Sequence, residues 1–122
     1  MTQTAALYNF FSSFGIDAYP NTAVPDTPIL PYLTYEVQQS SFGEGECYIT
    51  VQLWYKTDSE AKPNAKVKEI YEAIGKGGKL IQCDDGAIWI KRGSPWCINS
   101  NAEGDVTIKL RQLNITLEYL TI

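Results

Sequence analysis

The sequence predicts an α+β domain: a mainly antiparallel or mixed β-sheet packed by two helices, in the order helix, hairpin, helix, hairpin, strand. Three observations carry this. Apolar residues recur at helical spacing in two separate segments, they alternate with period two over several others, and the glycine and proline clusters fall between these segments. With 122 residues the chain fits one core, so a single domain over residues 1–122 is expected.

Leu7, Phe10, Phe11 and Phe14 make one face of a first helix, with Thr2 or Thr4 as N-cap and Gly15 as its stop. From Gly15 to Pro31 the four prolines Pro20, Pro25, Pro28 and Pro31 exclude helix and predict an extended connector. Tyr32 to Gln38 and Cys47 to Tyr55 alternate as two strands of a hairpin, joined by a polar arm, Gln39 to Gly45, whose one bulky residue is Phe42.

Asp58 or Ser59 is expected to cap a second helix with Pro63 in its first turn. Its core stripe is Val67, Ile70, Tyr71 and Ile74, and Gly75, Gly77 and Gly78 end it. Lys79 to Cys83 and Ala87 to Lys91 flank Asp84-Asp85-Gly86 as a second hairpin, closed by Gly93-Ser94-Pro95. After a polar loop, Asn99 to Asp105, the last strand carries Ile108 and Leu110 in one phase and Leu113, Ile115, Leu117 and Tyr119 in the other. That shift predicts either a β-bulge near Arg111-Gln112 or burial of opposite faces at its two ends.

The motifs that could carry chemistry read as structure. With no histidine, the commonest general base and transition-metal ligand are missing. Asp84 and Asp85 sit where a turn uses them. Gly75-Lys76-Gly77-Gly78-Lys79 follows a helix, whereas a phosphate loop precedes one. Ser94 lacks the glycine spacing of a nucleophile elbow, and Pro95 has no N–H to offer an oxyanion. Cys47, Cys83 and Cys97 are odd in number and widely spaced, which predicts reduced thiols. No enzyme and no cofactor are expected.

The net charge of −4 and scattered Lys and Arg argue against specific nucleic-acid binding. No apolar run is long enough for a membrane span and no leader pattern opens the chain, so a soluble, intracellular protein is expected. Trp54 falls on the face opposite Val51 and Leu53, where a helix or a partner subunit must cover it. A small-ligand or carbohydrate-binding module using Trp54, Trp89 and Trp96 is the rival reading.

Leu7-Tyr8-Asn9-Phe10-Phe11-Ser12, Pro31-Tyr32-Leu33-Thr34-Tyr35, Val51-Gln52-Leu53-Trp54-Tyr55 and Ile88-Trp89-Ile90-Lys91-Arg92-Gly93-Ser94-Pro95, in this order, resemble small prophage proteins of Gram-positive bacteria. Those are similar to the tail terminator or tail completion proteins that join head to tail in long-tailed phages. The resemblance implies a homo-oligomeric ring, typically a hexamer, that caps the tail tube and docks to the head–tail connector. It also implies synthesis in the bacterial cytoplasm and a place in the virion neck, with another neck or tail-tube component as the alternative. Subunit-interface candidates are then Phe42, Glu44, Trp54, Trp96 and Asn101, and lumen candidates Glu46, Asp84 and Asp85. Replacing Phe42 and Trp54 with polar residues is expected to weaken assembly and leave the monomer folded.

Overall fold

A computed structural model describes residues 1–121. The first helix, α1 (Gln3–Phe11), is capped by Thr2, whose hydroxyl accepts the Ala5 N–H at 3.1 Å, and a 3-10 turn over Ser12–Phe14 carries it to Gly15 at φ 80°. The second helix, α2 (Ala61–Ile74), starts where the Ser59 hydroxyl accepts the Ala61 N–H at 3.1 Å. Gly75 ends it at φ 79°.

The strands are β1 (Asp17–Pro20), β2 (Tyr32–Tyr35), β3 (Glu46–Lys56), β4 (Lys79–Cys83), β5 (Gly86–Ala102) and β6 (Asp105–Thr121). They form one mixed sheet in the order β1-β2-β3-β6-β5-β4, with β1 parallel to β2 and every other pair antiparallel. The C-terminal strand β6 therefore lies in the middle of the sheet. The fold is α+β.

Both helices pack on one face. Leu33 and Tyr35 of β2, Ile49, Val51 and Leu53 of β3, and Leu113, Ile115, Leu117 and Tyr119 of β6 meet Leu7, Phe10 and Phe11 of α1 and Ile70 and Ile74 of α2. The sheet curls around α1 so that this helix touches both edge strands, β1 and β4. Phe11 lies against Tyr35 with ring centroids 4.6 Å apart and planes 27° apart.

Burial pushes the phenols of Tyr35 and Tyr119 up to about 12 each; a nearby Tyr8 adds to the first, Cys47 and Cys83 to the second. The unfolded chain ionises them near pH 10. Their contribution to stability is thus complete below pH 10 and is lost as the pH rises toward 12. Ultraviolet titration should show two of the eight tyrosines ionising about two pH units above the exposed ones. Titration of all eight together would contradict this core.

Five expectations need correction. The connector contains a strand, β1, held in place by backbone pairing to β2. The first hairpin forms, but β2 stops at Tyr35, because the Glu36 carboxylate accepts the Thr50 N–H and displaces regular pairing. Tyr71 is exposed and leaves the core stripe, which is Pro63, Ile70 and Ile74 with the half-buried Val67 packed against the core.

The largest correction concerns the segment from Gly93 to Asp105. Gly93-Ser94-Pro95 does not close a hairpin; it lies inside β5, as a bulge that sets Gly93 to Trp96 opposite Asn114 alone. A Cβ on Gly93 would sit 2.6 Å from the Asn114 carbonyl oxygen, so that close approach requires glycine. The polar loop from Asn99 is mostly strand, turning only at Glu103-Gly104. In β6 itself the ladder to β3 is unbroken from Glu118 to Ile108, so the phase shift reflects burial of opposite faces rather than a bulge at Arg111-Gln112.

Candidate functional site

Because both helices cover one face of the sheet, period-two alternation leaves the other face open. Trp54 lies there, as its sequence phase requires, and its covering comes from its own subunit. Its ring stacks on Tyr32 (5.7 Å, planes 9° apart), Tyr19 abuts Tyr32 edge-on, and the indole N–H donates to Thr34 at 3.2 Å. Next to this aromatic row the face is polar: Thr34, Gln52 and Gln112 lie across neighbouring strands, followed by Thr50, Asn114 and Thr116, with the Glu36 carboxylate beside Thr34 and Thr50. A cavity of about 310 Å³ opens between Tyr48, Thr50, Asn114 and the bulge residue Ser94.

At the far end of the open face the charges are paired. Lys91 bridges Glu46 at 3.0 Å and Glu118 at 3.1 Å, and its ammonium lies 4.2 Å from the Trp89 ring centre. Those two carboxylates, cross-strand partners in β3 and β6, hold the Lys91 ammonium above its usual pKa against the opposing effect of burial. Of the lumen candidates, Glu46 is thus ion-paired, sharing the one ammonium with Glu118. Asp84 pairs with the N-terminal amine, and Asp85 occupies the β4–β5 turn at φ 66°.

The interface candidates do not form one patch. Phe42 is half-buried against the core beside Gly86, and the arm is tied down by Gly43 N–H to Tyr119 C=O (2.9 Å) and Gln3 to Ser40 C=O (2.9 Å). The free-arm reading of Gln39 to Gly45 is corrected: a polar residue at Phe42 would act first on stability. Glu44 remains exposed in that arm. Asn101 is exposed at the opposite end of the sheet, next to the β5–β6 turn, and Trp96 lies on the helix-bearing face.

Around Trp96 the structure brings together residues that the sequence pattern did not group: Tyr71 and Val67, expected in the core stripe, and Arg92. Tyr71 of α2 meets Trp96 edge-on at 5.5 Å and takes the Arg92 guanidinium 3.3 Å from its ring centre. Arg92 in turn donates to the Tyr71 carbonyl at 2.6 and 3.0 Å, closing the C-terminal end of α2, where the helix dipole favours a cation. An open groove of about 470 Å³ runs between α2 and β5 here, walled by Val67, Tyr71 and Trp96.

No family model and no curated protein matches the chain. A solved structure does, with a TM-score of 0.63 at 9% identity, covering 98% of this chain and 94% of the other; the name of that protein describes no activity. At such an identity the likeness is one of fold.

Beneath the groove, Arg111 is 1% exposed. It donates to Asn64 Oδ1 at 3.1 Å, to the Leu110 carbonyl at 3.0 Å and to Glu60 Oε1 at 3.1 Å. A guanidinium at a core-facing position of β6 was not foreseen; the signal was there in the phase, since Arg111 shares parity with Leu113 and Ile115. Cys47, Cys83 and Cys97 are free thiols, and burial pushes the pKa of each up, with Arg111 partly offsetting this at Cys97. Such thiols carry little thiolate at neutral pH. Among the described residues, no group of three His, Cys, Asp or Glu is placed to hold a metal ion, and no helix is long and apolar enough to cross a membrane.

Proposed function

We propose that this chain is a structural subunit of a phage tail, a tail terminator or tail completion protein that self-associates into a ring, caps the tail tube and docks it to the head connector. The observation that supports this best is the asymmetry of the two layers. One sheet face is covered by helices, and the other is a broad polar band of Thr, Gln and Asn, with the Glu36 carboxylate among them, that offers phosphate no cluster of cations. A surface of that kind, on a chain of net charge −4, suits a passage that lets DNA slide without gripping it.

Light scattering over a range of concentration and salt, with negative-stain imaging of large species, tests the reading. A closed ring of about six subunits that blocks further growth of tail tubes is the expected result. Rings or monomers that leave tube growth unaffected would refute it.

A second reading, a carbohydrate-binding module, is favoured by the open-face cavity beside Tyr48, which is 72% exposed among neutral hydroxyl and amide groups. The tryptophans do not supply its platform. Trp54 is stacked on Tyr32, Trp89 carries Lys91, and Trp96 is on the other face. Sugar titration followed by tyrosine and tryptophan fluorescence separates the two readings.

A further inference from the structure

The α2–β5 groove has the chemistry of a donor surface. The indole N–H groups of Trp54 and Trp89 donate to Thr34 and Gly77, whereas that of Trp96 makes no hydrogen bond among the described residues. On the rim, Asn64 uses its carbonyl oxygen for Arg111, leaving its NH₂ free to donate, and the Lys68 ammonium is loosely held by Glu72 at 3.8 Å with a side chain 78% exposed. Aromatic walls with unengaged N–H groups among the lining residues fit an extended segment rich in proline, which has carbonyl acceptors in excess of N–H donors.

The chain carries such a segment. Between β1 and β2, Val24-Pro25-Asp26-Thr27-Pro28-Ile29-Leu30 forms no helix or strand and makes no backbone hydrogen bond among the described residues. Ile29 at its tip is 77% exposed, the most exposed large apolar side chain described. Asp26 supplies a carboxylate of opposite sign to Lys68.

This segment cannot fill the groove of its own subunit. Ile29 lies three residues before Tyr32 in β2, a reach of at most about 11 Å. Helix α2, roughly 10 Å across, stands between them. Its Lys66 flank reaches the Phe14 carbonyl in the turn before β1, and its Tyr71 flank meets Trp96 on β5.

The geometry points to a head-to-tail contact between two copies of this chain, in which residues 24–30 of one copy lie in the Trp96–Tyr71 groove of the next, Ile29 packs between the rings and Asp26 meets Lys68. Donor and acceptor surfaces differ, so the contact is heterologous and propagates to a ring or a filament. It specifies the contact by which the proposed ring would close, and rests on that reading only for closure.

Sedimentation of the full-length protein tests it with variants on either side. Ile29→Asp and Trp96→Ala should each raise the association midpoint at least about tenfold. Mixed in equal amounts they should give heterodimers and nothing larger, because each pair holds one intact segment and one intact groove. Lys68→Glu, fully on the surface, covers the case in which Trp96→Ala misfolds; it should weaken association, and adding Asp26→Lys should restore it. Wild-type protein that stays monomeric at about 1 mM, variants that associate like wild type, or a mixture that stays monomeric would overturn the contact. Rings that persist in both single variants overturn the contact and leave the tail reading intact, whereas variant-sensitive open filaments uphold the contact and count against a terminator.

Discussion

Phe11→Ala is expected to destabilise the domain by about 3–5 kcal/mol, the usual cost of emptying a buried phenylalanine site. Phe11 is fully buried and joins two aromatic contacts, the stacked Tyr35 ring on the sheet and the Phe10 ring at 5.2 Å on its own helix. It is the residue through which α1 grips the curled sheet. The cavity left behind would be lined by the curled sheet and by α1, which the Met1 carbonyl, accepting the Asp84 N–H, and the Gln3–Ser40 hydrogen bond hold in place, so collapse is restricted. Set against a total of about 5–15 kcal/mol for a domain of ordinary stability, this loss should be visible as a large drop in the urea midpoint with little change in slope. A shift smaller than about 1.5 kcal/mol would mean that α1 is not anchored as described.

The second large effect is an inversion. Removing the partners of Arg111 should cost more than removing Arg111 itself. The guanidinium is 1% exposed and lies near the N-terminus of α2, where the helix dipole is unfavourable to a cation, so its charge relies on Glu60 and Asn64. Taking away both in Glu60→Ala/Asn64→Ala leaves a buried charge with the Leu110 carbonyl as its remaining partner and no counter-ion, at about 3 kcal/mol. Arg111→Met fills much of the same volume and releases Glu60 to solvent, where its half-exposed carboxylate already reaches, so a loss of about 1 kcal/mol or less is expected. Denaturant unfolding of the two variants side by side decides it. A greater loss in Arg111→Met would mean that the ion network contributes net stability.

Much of the fold follows from local pattern. The helical spacing of Leu7, Phe10, Phe11 and Phe14, a cap at Thr2 or Thr4, the Asp84-Asp85 turn and the face on which Trp54 lies are all legible in the sequence, because each depends on residues within a few positions of one another; the structure selects Thr2. The candidate surfaces were less legible. Phe42 reads as a free aromatic in a flexible arm until Gly86, distant in sequence, supplies the space its ring fills. Trp96 and Asn101 stand out in the sequence only as residue types. What gives Trp96 a role is Tyr71, brought beside it by the packing of α2 on β5, and Ile29 drew no attention because its exposure is a property of the folded surface.

The segment from Asn99 to Ala102 shows the limit most clearly. Asn99, Ser100 and Asn101 have low strand propensity and no apolar alternation, so they read as loop, yet β6 pairs with them through Arg111, Leu110 and Lys109. Backbone pairing to an existing edge overrides weak local preference. By itself, then, the sequence determined the α+β class, the core face of α1, the Asp84-Asp85 turn and the phase of β3 and β6, since side-chain periodicity is local. Only the tertiary structure decided that β6 enters the centre of the sheet, that β5 bulges at Gly93, that Arg111 is buried and paired, and that one face stays open beside a groove on the other, because those outcomes depend on contacts between residues far apart in the chain whose pairing no local pattern encodes.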